Sequence, residues 1–165
     1  MPLSYQQKDD GPFILIRDEV LETIQKFRQD GDRDNEAGGI LLGMRKAGGH
    51  IELVRATEPS EFDGRARYGF IRELAKHADV AHDAFIASKQ LVHYVGEWHS
   101  HPEDQPSPSW IDKWEWKKLA RLQQQSPLAM IIVGIKDLWI GTVTAREVYR
   151  CKLIAAENNA DSVEP

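Results

Sequence analysis

Residues 91–112 read LVHYVGEWHSHPEDQPSPSWID. The first part is rich in β-branched and aromatic residues and predicts a strand that ends at Pro102. The segment PEDQPSPS cannot continue any regular element, because its three prolines remove backbone donors and fix φ. Ser109 then stands where a helix begins, with Asp112 on its first turn. Downstream, Ile111, Trp114, Leu119 and Leu122 recur at helical spacing, and Ser126-Pro127 closes the helix. Two strands follow. LAMIIVGI is apolar enough for a central position, LWIGTVT comes after it, and REVYRCKL extends the sheet.

Upstream, Phe13–Ile16 predicts a short strand. Val20, Leu21, Ile24 and Phe27 follow helical spacing, with a stop at Asp30-Gly31. GGILLGMRKAGGHIELVRAT reads as a hairpin turning at Ala47-Gly48-Gly49, and PSEFDGRA as a loop. Leu74, Ala78, Ala81 and Phe85 mark a second helix. Strands and helices mix without strict alternation. The fold class is therefore α/β in the broad sense, an α+β mixed sheet flanked by helices and not a doubly wound parallel fold.

The chain has 165 residues, 41% apolar and 28% charged, with net charge −5. That length suits one domain and a self-sufficient core, since a chain of this size buries about 68–70% of its unfolded surface. Residues 1–10 read as a flexible arm, 11–154 as the domain, and 155–165 (AAENNADSVEP) as a disordered acidic tail. One cysteine, Cys151, excludes an internal disulfide framework and suits a reducing cytoplasm. The excess of 26 acidic over 21 basic residues argues against a nucleic-acid or membrane-surface binder. The apolar run Phe13–Ile16 is too short for a signal-peptide core or a membrane span.

The chemistry concentrates at His99-Ser100-His101 and Ser109-Trp110-Ile111-Asp112. On a strand, residues i and i+2 share a face, so His99 and His101 present their imidazoles together. With Asp112 brought back by the stiff loop, they make a two-His, one-carboxylate set of the catalytic zinc type, which leaves one position open. With a single cysteine in the chain, no cysteine cluster competes as ligand. Ser109-x-x-Asp112 also reads as a plain helix capping box. A hydrolytic zinc needs a general base, and two glutamates compete. Strand periodicity nominates Glu97. Glu36 opens the strand GGILLG and can enter from a neighbouring strand. Spacing alone does not choose between them.

The pattern His99-x-His101-x7-Ser109-x2-Asp112, with Glu36 before a Gly-rich apolar strand, resembles the JAB/MPN domain and its JAMM metalloprotease motif from about Phe13 to Leu153. The resemblance implies a single domain of the cytidine-deaminase-like type. It implies one catalytic Zn2+ on His99, His101 and Asp112, Glu36 as acid/base, and Ser109 helping the oxyanion. Glu97 then stands behind the ligands. The chain is further similar to the bacterial JAB peptidases of CBASS anti-phage operons. That likeness implies an isopeptidase acting on the C-terminal tail of a conjugated cGAS-like nucleotidyltransferase, beside the E1–E2-like enzyme that made the conjugate. Other JAB enzymes process β-grasp ubiquitin-like modifiers or sulfur carriers, and some MPN members are scaffolds without chemistry.

Among the remaining residues, Gly38 and Gly39 permit close backbone approach, either by substrate or by ordinary strand–turn neighbours. Trp98, Trp114 and Trp139 read as packing residues, while Trp110 sits in the metal loop beside the candidate ligands. His50, His77 and His82 read as solvated histidines, and Cys151 as a small core residue.

Overall fold

In the computed structural model, residues 2–7, 10–124 and 127–156 are described. In chain order the elements are β1 (Leu3–Gln6), β2 (Phe13–Ile16), α1 (Asp18–Gln25), β3 (Gly38–Arg45) and β4 (Ile51–Ala56). Then come β5 (Gly64–Ala66), β6 (Gly69–Ile71), α2 (Leu74–Ala87), β7 (His93–Ser100) and α3 (Trp110–Leu122). The chain continues through β8 (Leu128–Val133), β9 (Leu138–Val143), β10 (Val148–Arg150) and β11 (Lys152–Ala156).

Nine strands form one mixed sheet in the order β10-β9-β8-β7-β3-β4-β2-β1-β11, while β5 and β6 make a separate hairpin. The β2–β4 and β7–β8 pairs are parallel, and the other pairs are antiparallel. Strands β10 and β11 stand at opposite ends of this order, yet only Cys151 separates them in sequence. The sheet therefore curls until its edges meet, where Cys151 N–H donates to the Ile140 carbonyl at 2.8 Å.

Strand β8 has the apolar run expected of a central strand, and its two faces feed two cores. Ala129, Ile131 and Val133 pack with Val20, Leu21 and Ile24 of α1. Leu128, Met130 and Ile132 pack with Trp116 and Ala120 of α3. The sheet is thus held between α1 and α3. The parallel step from β7 to β8 requires a crossover, and this crossover carries the proline loop and α3. Gly96 lies where β7 presses closest on β8, and a Cβ there would collide with the Ala129 backbone.

The structure departs from the sequence reading at several points. Residues 3–6 are not an arm; they pair with both β2 and β11, because Leu3 and Tyr5 add to the first core. The domain also runs past 154, since β11 reaches Ala156; residues 157–165 lie outside the described residues. Helix α1 ends at Gln25, short of Asp30-Gly31, and PSEFDGRA contributes Gly64–Ala66 to β5. Helix α2 exposes Leu74 and Ala78 and buries only His77. Helix α3 buries Trp116 and Ala120, spaced i and i+4, and leaves Ile111, Trp114 and Leu122 exposed. Stacking of Trp116 on Trp139, 5.4 Å between centroids, sets that rotation.

Candidate active site

Strand pairing assembles the site. Gly38 at the start of β3 faces His99 near the end of β7. One residue further out, the Ala37 carbonyl accepts Ser100 N–H at 2.8 Å and Ala37 N–H donates to Ser100 Oγ at 2.9 Å. These bonds carry Glu36 to the side of His101. The Glu36 backbone is held from its other side, its N–H donating to the Ala66 carbonyl (2.8 Å) and its carbonyl accepting from Arg65 Nε (2.9 Å). Ser100 and Gln29 went unremarked in the sequence. Both are buried, and Ser100 Oγ donates to Gln29 Oε1 at 3.0 Å. Gln29 Nε2 in turn reaches the carbonyls of Asp34 and Arg67. The only signal was the position of Ser100, alternating inward between two outward imidazoles.

The Nε2 atoms of His99 and His101 face each other at 3.0 Å. Asp112 lies against both, Oδ1 at 3.4 Å from His99 Nε2 and Oδ2 at 3.5 Å from His101 Nε2. Glu36 approaches as well: one ligand atom each from Glu36, His99 and His101 lie within 4.8 Å of one another. Two ligands at roughly 2.0–2.1 Å from a tetrahedral zinc stand about 3.3 Å apart. The separations of 3.0, 3.4 and 3.5 Å among His99, His101 and Asp112 match that spacing, so the donor set fits such an ion.

Helix α3 supplies Asp112 through its cap. Ser109 Oγ accepts Asp112 N–H at 3.1 Å, and Asp112 Oδ2 accepts Ser109 N–H at 2.6 Å. The capping box and the ligand position are one feature. His101 Nδ1 faces the Glu103 carboxylate at 3.7 Å, on the side away from Asp112. Burial, helped by the charge of His101 and opposed by Asp112, pushes the His99 imidazole down to about 4, so it is neutral at pH 7. Burial first, then the Asp112 charge, pushes the Glu36 carboxyl up to about 8.

Glu97 shares the His99 side of β7 but is otherwise engaged. Arg72 pairs with it and Tyr94 Oη donates to it at 3.4 Å; burial raises its carboxyl and Arg72 opposes this. Gly38 and Gly39 have packing reasons to be glycine. A Cβ on Gly38 would lie 2.6 Å from the Phe70 ring, and one on Gly39 would lie 2.6 Å from Thr57 Oγ1. Trp98 is buried and donates Nε1–H to the Thr57 carbonyl at 2.9 Å. Trp110 is exposed at the start of α3. Glu36, Glu97, Trp98, His99, His101, Ser109 and Asp112 line one cleft of about 730 Å³, which is also lined by Gly69–Ile71 of β6 and by Arg72.

A family model described as prokaryotic homologs of the JAB domain matches residues 21–152, a span that includes every residue of this cluster. The chain belongs to the prokaryotic JAB family. Three curated relatives carry the name CD-NTase/cGAS isopeptidase. One from Escherichia coli (strain TW11681) is 36% identical over 139 residues, covering 84% of this JAB chain and 87% of that protein. A Pseudomonas aeruginosa relative (strain BWHPSA011 / Pa011) is 38% identical over 141 residues, covering 85% and 89%. The Vibrio cholerae relative (serotype O1, strain ATCC 39315 / El Tor Inaba N16961) is 33% identical over 135 residues, covering 81% and 85%. Among solved structures, protein DSY2949 from Desulfitobacterium hafniense superposes with TM-score 0.60 at 20% identity, covering 89% of this chain and 95% of that one. That likeness is one of fold, and it matches the mixed sheet of this JAB protein.

Proposed function

We propose that this JAB protein is a zinc-dependent isopeptidase that releases a CD-NTase, conjugated through its C-terminal tail, from target lysines in bacterial anti-phage defence. The observation that carries the reading is the facing pair His99 Nε2 and His101 Nε2 with Asp112 against both, in a chain 36% identical to an E. coli CD-NTase/cGAS isopeptidase. His99, His101 and Asp112 would hold the ion. Zinc held there would supply Lewis acidity toward the scissile carbonyl and the attacking water.

Glu36 is the proton carrier. A carboxyl whose affinity for protons is raised by burial and by Asp112 is suited to take a proton from water and give it to the departing lysine amine. Ser109 Oγ accepts Asp112 N–H, which leaves its own hydroxyl hydrogen to donate to the oxyanion of the tetrahedral intermediate. The tail lies extended along β6, whose residues Gly69–Ile71 line the cleft, and pairs with that strand by backbone hydrogen bonds. Glu97 with Arg72 braces the floor of the cleft. The conjugate itself is the product of an E1–E2-like enzyme, the second expected partner.

The test is release of lysine from a CD-NTase joined to it through its C-terminus. Cleavage is expected with zinc, lost in chelator and restored by zinc. Chelator-resistant cleavage, or an active Glu36→Ala protein, overturns the proposal. If Glu36→Ala expressed in cells retains a β-grasp modifier joined to lysine, the isopeptidase stands and the donor is reassigned.

A further inference from the structure

His77 is the only buried residue of α2, and its two ring nitrogens are both engaged. Nδ1 lies 2.6 Å from Thr57 Oγ1 and Nε2 lies 3.1 Å from Asp63 Oδ2. Thr57 Oγ1 already accepts Ile40 N–H at 2.9 Å. The ionised Asp63 carboxylate can only accept, so Nε2 is assigned the ring hydrogen and donates it to Asp63, and in that tautomer Nδ1 accepts the Thr57 hydroxyl hydrogen. An Asp–His–Thr chain of this kind resembles a nucleophilic triad, but Thr57 Oγ1 is turned into the sheet and bonded to β3. It fastens the fold.

What it fastens is the wall of the cleft. Asp63 Oδ2 accepts Ser60 N–H (2.6 Å) and Asp63 Oδ1 accepts Glu73 N–H (2.7 Å), so one carboxylate closes the base of the excursion from 60 to 73. That excursion contains β5, β6 and Arg72, and it lays Phe70 on Gly38. At the other end, Thr57 binds β3 through Ile40, in both directions, and its carbonyl receives Trp98 Nε1–H, the neighbour of His99. Burial opposes ionisation of Asp63, yet the bonds from Glu73, Ser60 and His77 outweigh it and hold the carboxyl low, so the clamp is charged at neutral pH.

We infer that the buried Asp63–His77–Thr57 chain is a positioning element that holds the β5–β6 hairpin against the cleft and so governs capture of an extended substrate tail. The inference rests on the isopeptidase reading for its substrate and on geometry for the clamp. His77 touches no reacting atom; it acts through the hairpin. Loss of the chain therefore weakens tail binding and leaves proton transfer at Glu36 and the oxyanion hydrogen bond from Ser109 in place.

The experiment compares wild type with His77→Ala, His77→Gln and the isosteric Asp63→Asn, all zinc-loaded, by amide hydrogen exchange and by steady-state cleavage of a CD-NTase tail joined to lysine. Zinc content is measured on the same samples. His77→Ala and Asp63→Asn are expected to speed exchange across 62–73 while β3 and β7 stay protected, with zinc unchanged. KM should rise by about tenfold, the worth of one buried hydrogen-bonding group, and kcat should move less. His77→Gln, which keeps one side-chain donor, should recover part of the loss. Unchanged exchange across 62–73, or a fall in kcat with KM constant, overturns the inference. A wild type that does not cleave overturns the functional reading instead, and the exchange profile then decides the clamp alone. If His77→Ala does not fold, Asp63→Asn decides it.

Discussion

One Asp112 oxygen, Oδ2, accepts Ser109 N–H at 2.6 Å while the other, Oδ1, stands 3.4 Å from His99 Nε2. A single carboxylate both caps α3 and faces the candidate metal ligands. Its two roles separate by substitution. Asp112→Asn keeps an acceptor for Ser109 N–H and removes the charge, so zinc affinity should fall while metal-free stability holds. Asp112→Ala should lose both, with about 1 kcal/mol of metal-free stability lost with the cap. Zinc titration and denaturation in chelator read the two effects.

The two glutamates that spacing alone left in competition predict different outcomes. Glu36→Gln should retain zinc and lose about 10²–10⁴-fold in kcat, the usual contribution of a positioned general base. Glu97 is committed to Arg72 and Tyr94. Glu97→Gln should therefore cost less than about tenfold in kcat, well below a general base's share. Single-turnover cleavage with zinc in excess distinguishes them.

Ser109→Ala should lower kcat by about 10²–10³-fold, as removal of an oxyanion donor does. The same change removes the acceptor of Asp112 N–H and should cost about 1 kcal/mol of stability. A variant that loses the stability and keeps kcat would confine Ser109 to its capping role.

Metal-free protein should lose stability as pH rises from 6.5 to 8. Its native Glu36, with the carboxyl pushed up to about 8, holds a proton that the unfolded carboxylate, near 4.5, has released. The native state then binds more protons, and stability falls with pH. His99 acts oppositely, but only between about 4 in the fold and 6.5 unfolded, where the two effects offset each other. Denaturation midpoints in chelator at pH 6.5 and 8 test this, and Glu36→Gln should flatten the slope.

Much of the site was legible because its residues are close in sequence and obey local rules. Alternation running through the end of β7 and one residue beyond brought the His99 and His101 imidazoles together, and the box at Ser109 and Asp112 started α3 where the prolines ended. The mixed sheet followed from strand runs such as Leu128–Val133, apolar on both faces because a core lies on each. Helix faces were less legible. In α3 several large apolar residues offer competing stripes, and packing of Trp116 and Ala120 against β8 and Trp139 selects one.

By itself the sequence determined the order of the three helices and of the strands from β2 to β9 apart from the β5–β6 hairpin, the paired imidazoles and the cap that carries a carboxylate. Each depends on interactions within a few residues, where backbone periodicity dictates direction. Spacing left Glu36 and Glu97 open and the resemblance put Glu36 forward; only the tertiary structure showed the physical reason, since strand pairing brings Glu36 beside the imidazoles and Arg72 occupies Glu97. It also decided that residues 3–6 complete the sheet and that His77 is a buried clamp. Those outcomes join residues from 14 to more than 100 positions apart, and burial and hydrogen-bond satisfaction over such spans arise only once the chain has closed on itself.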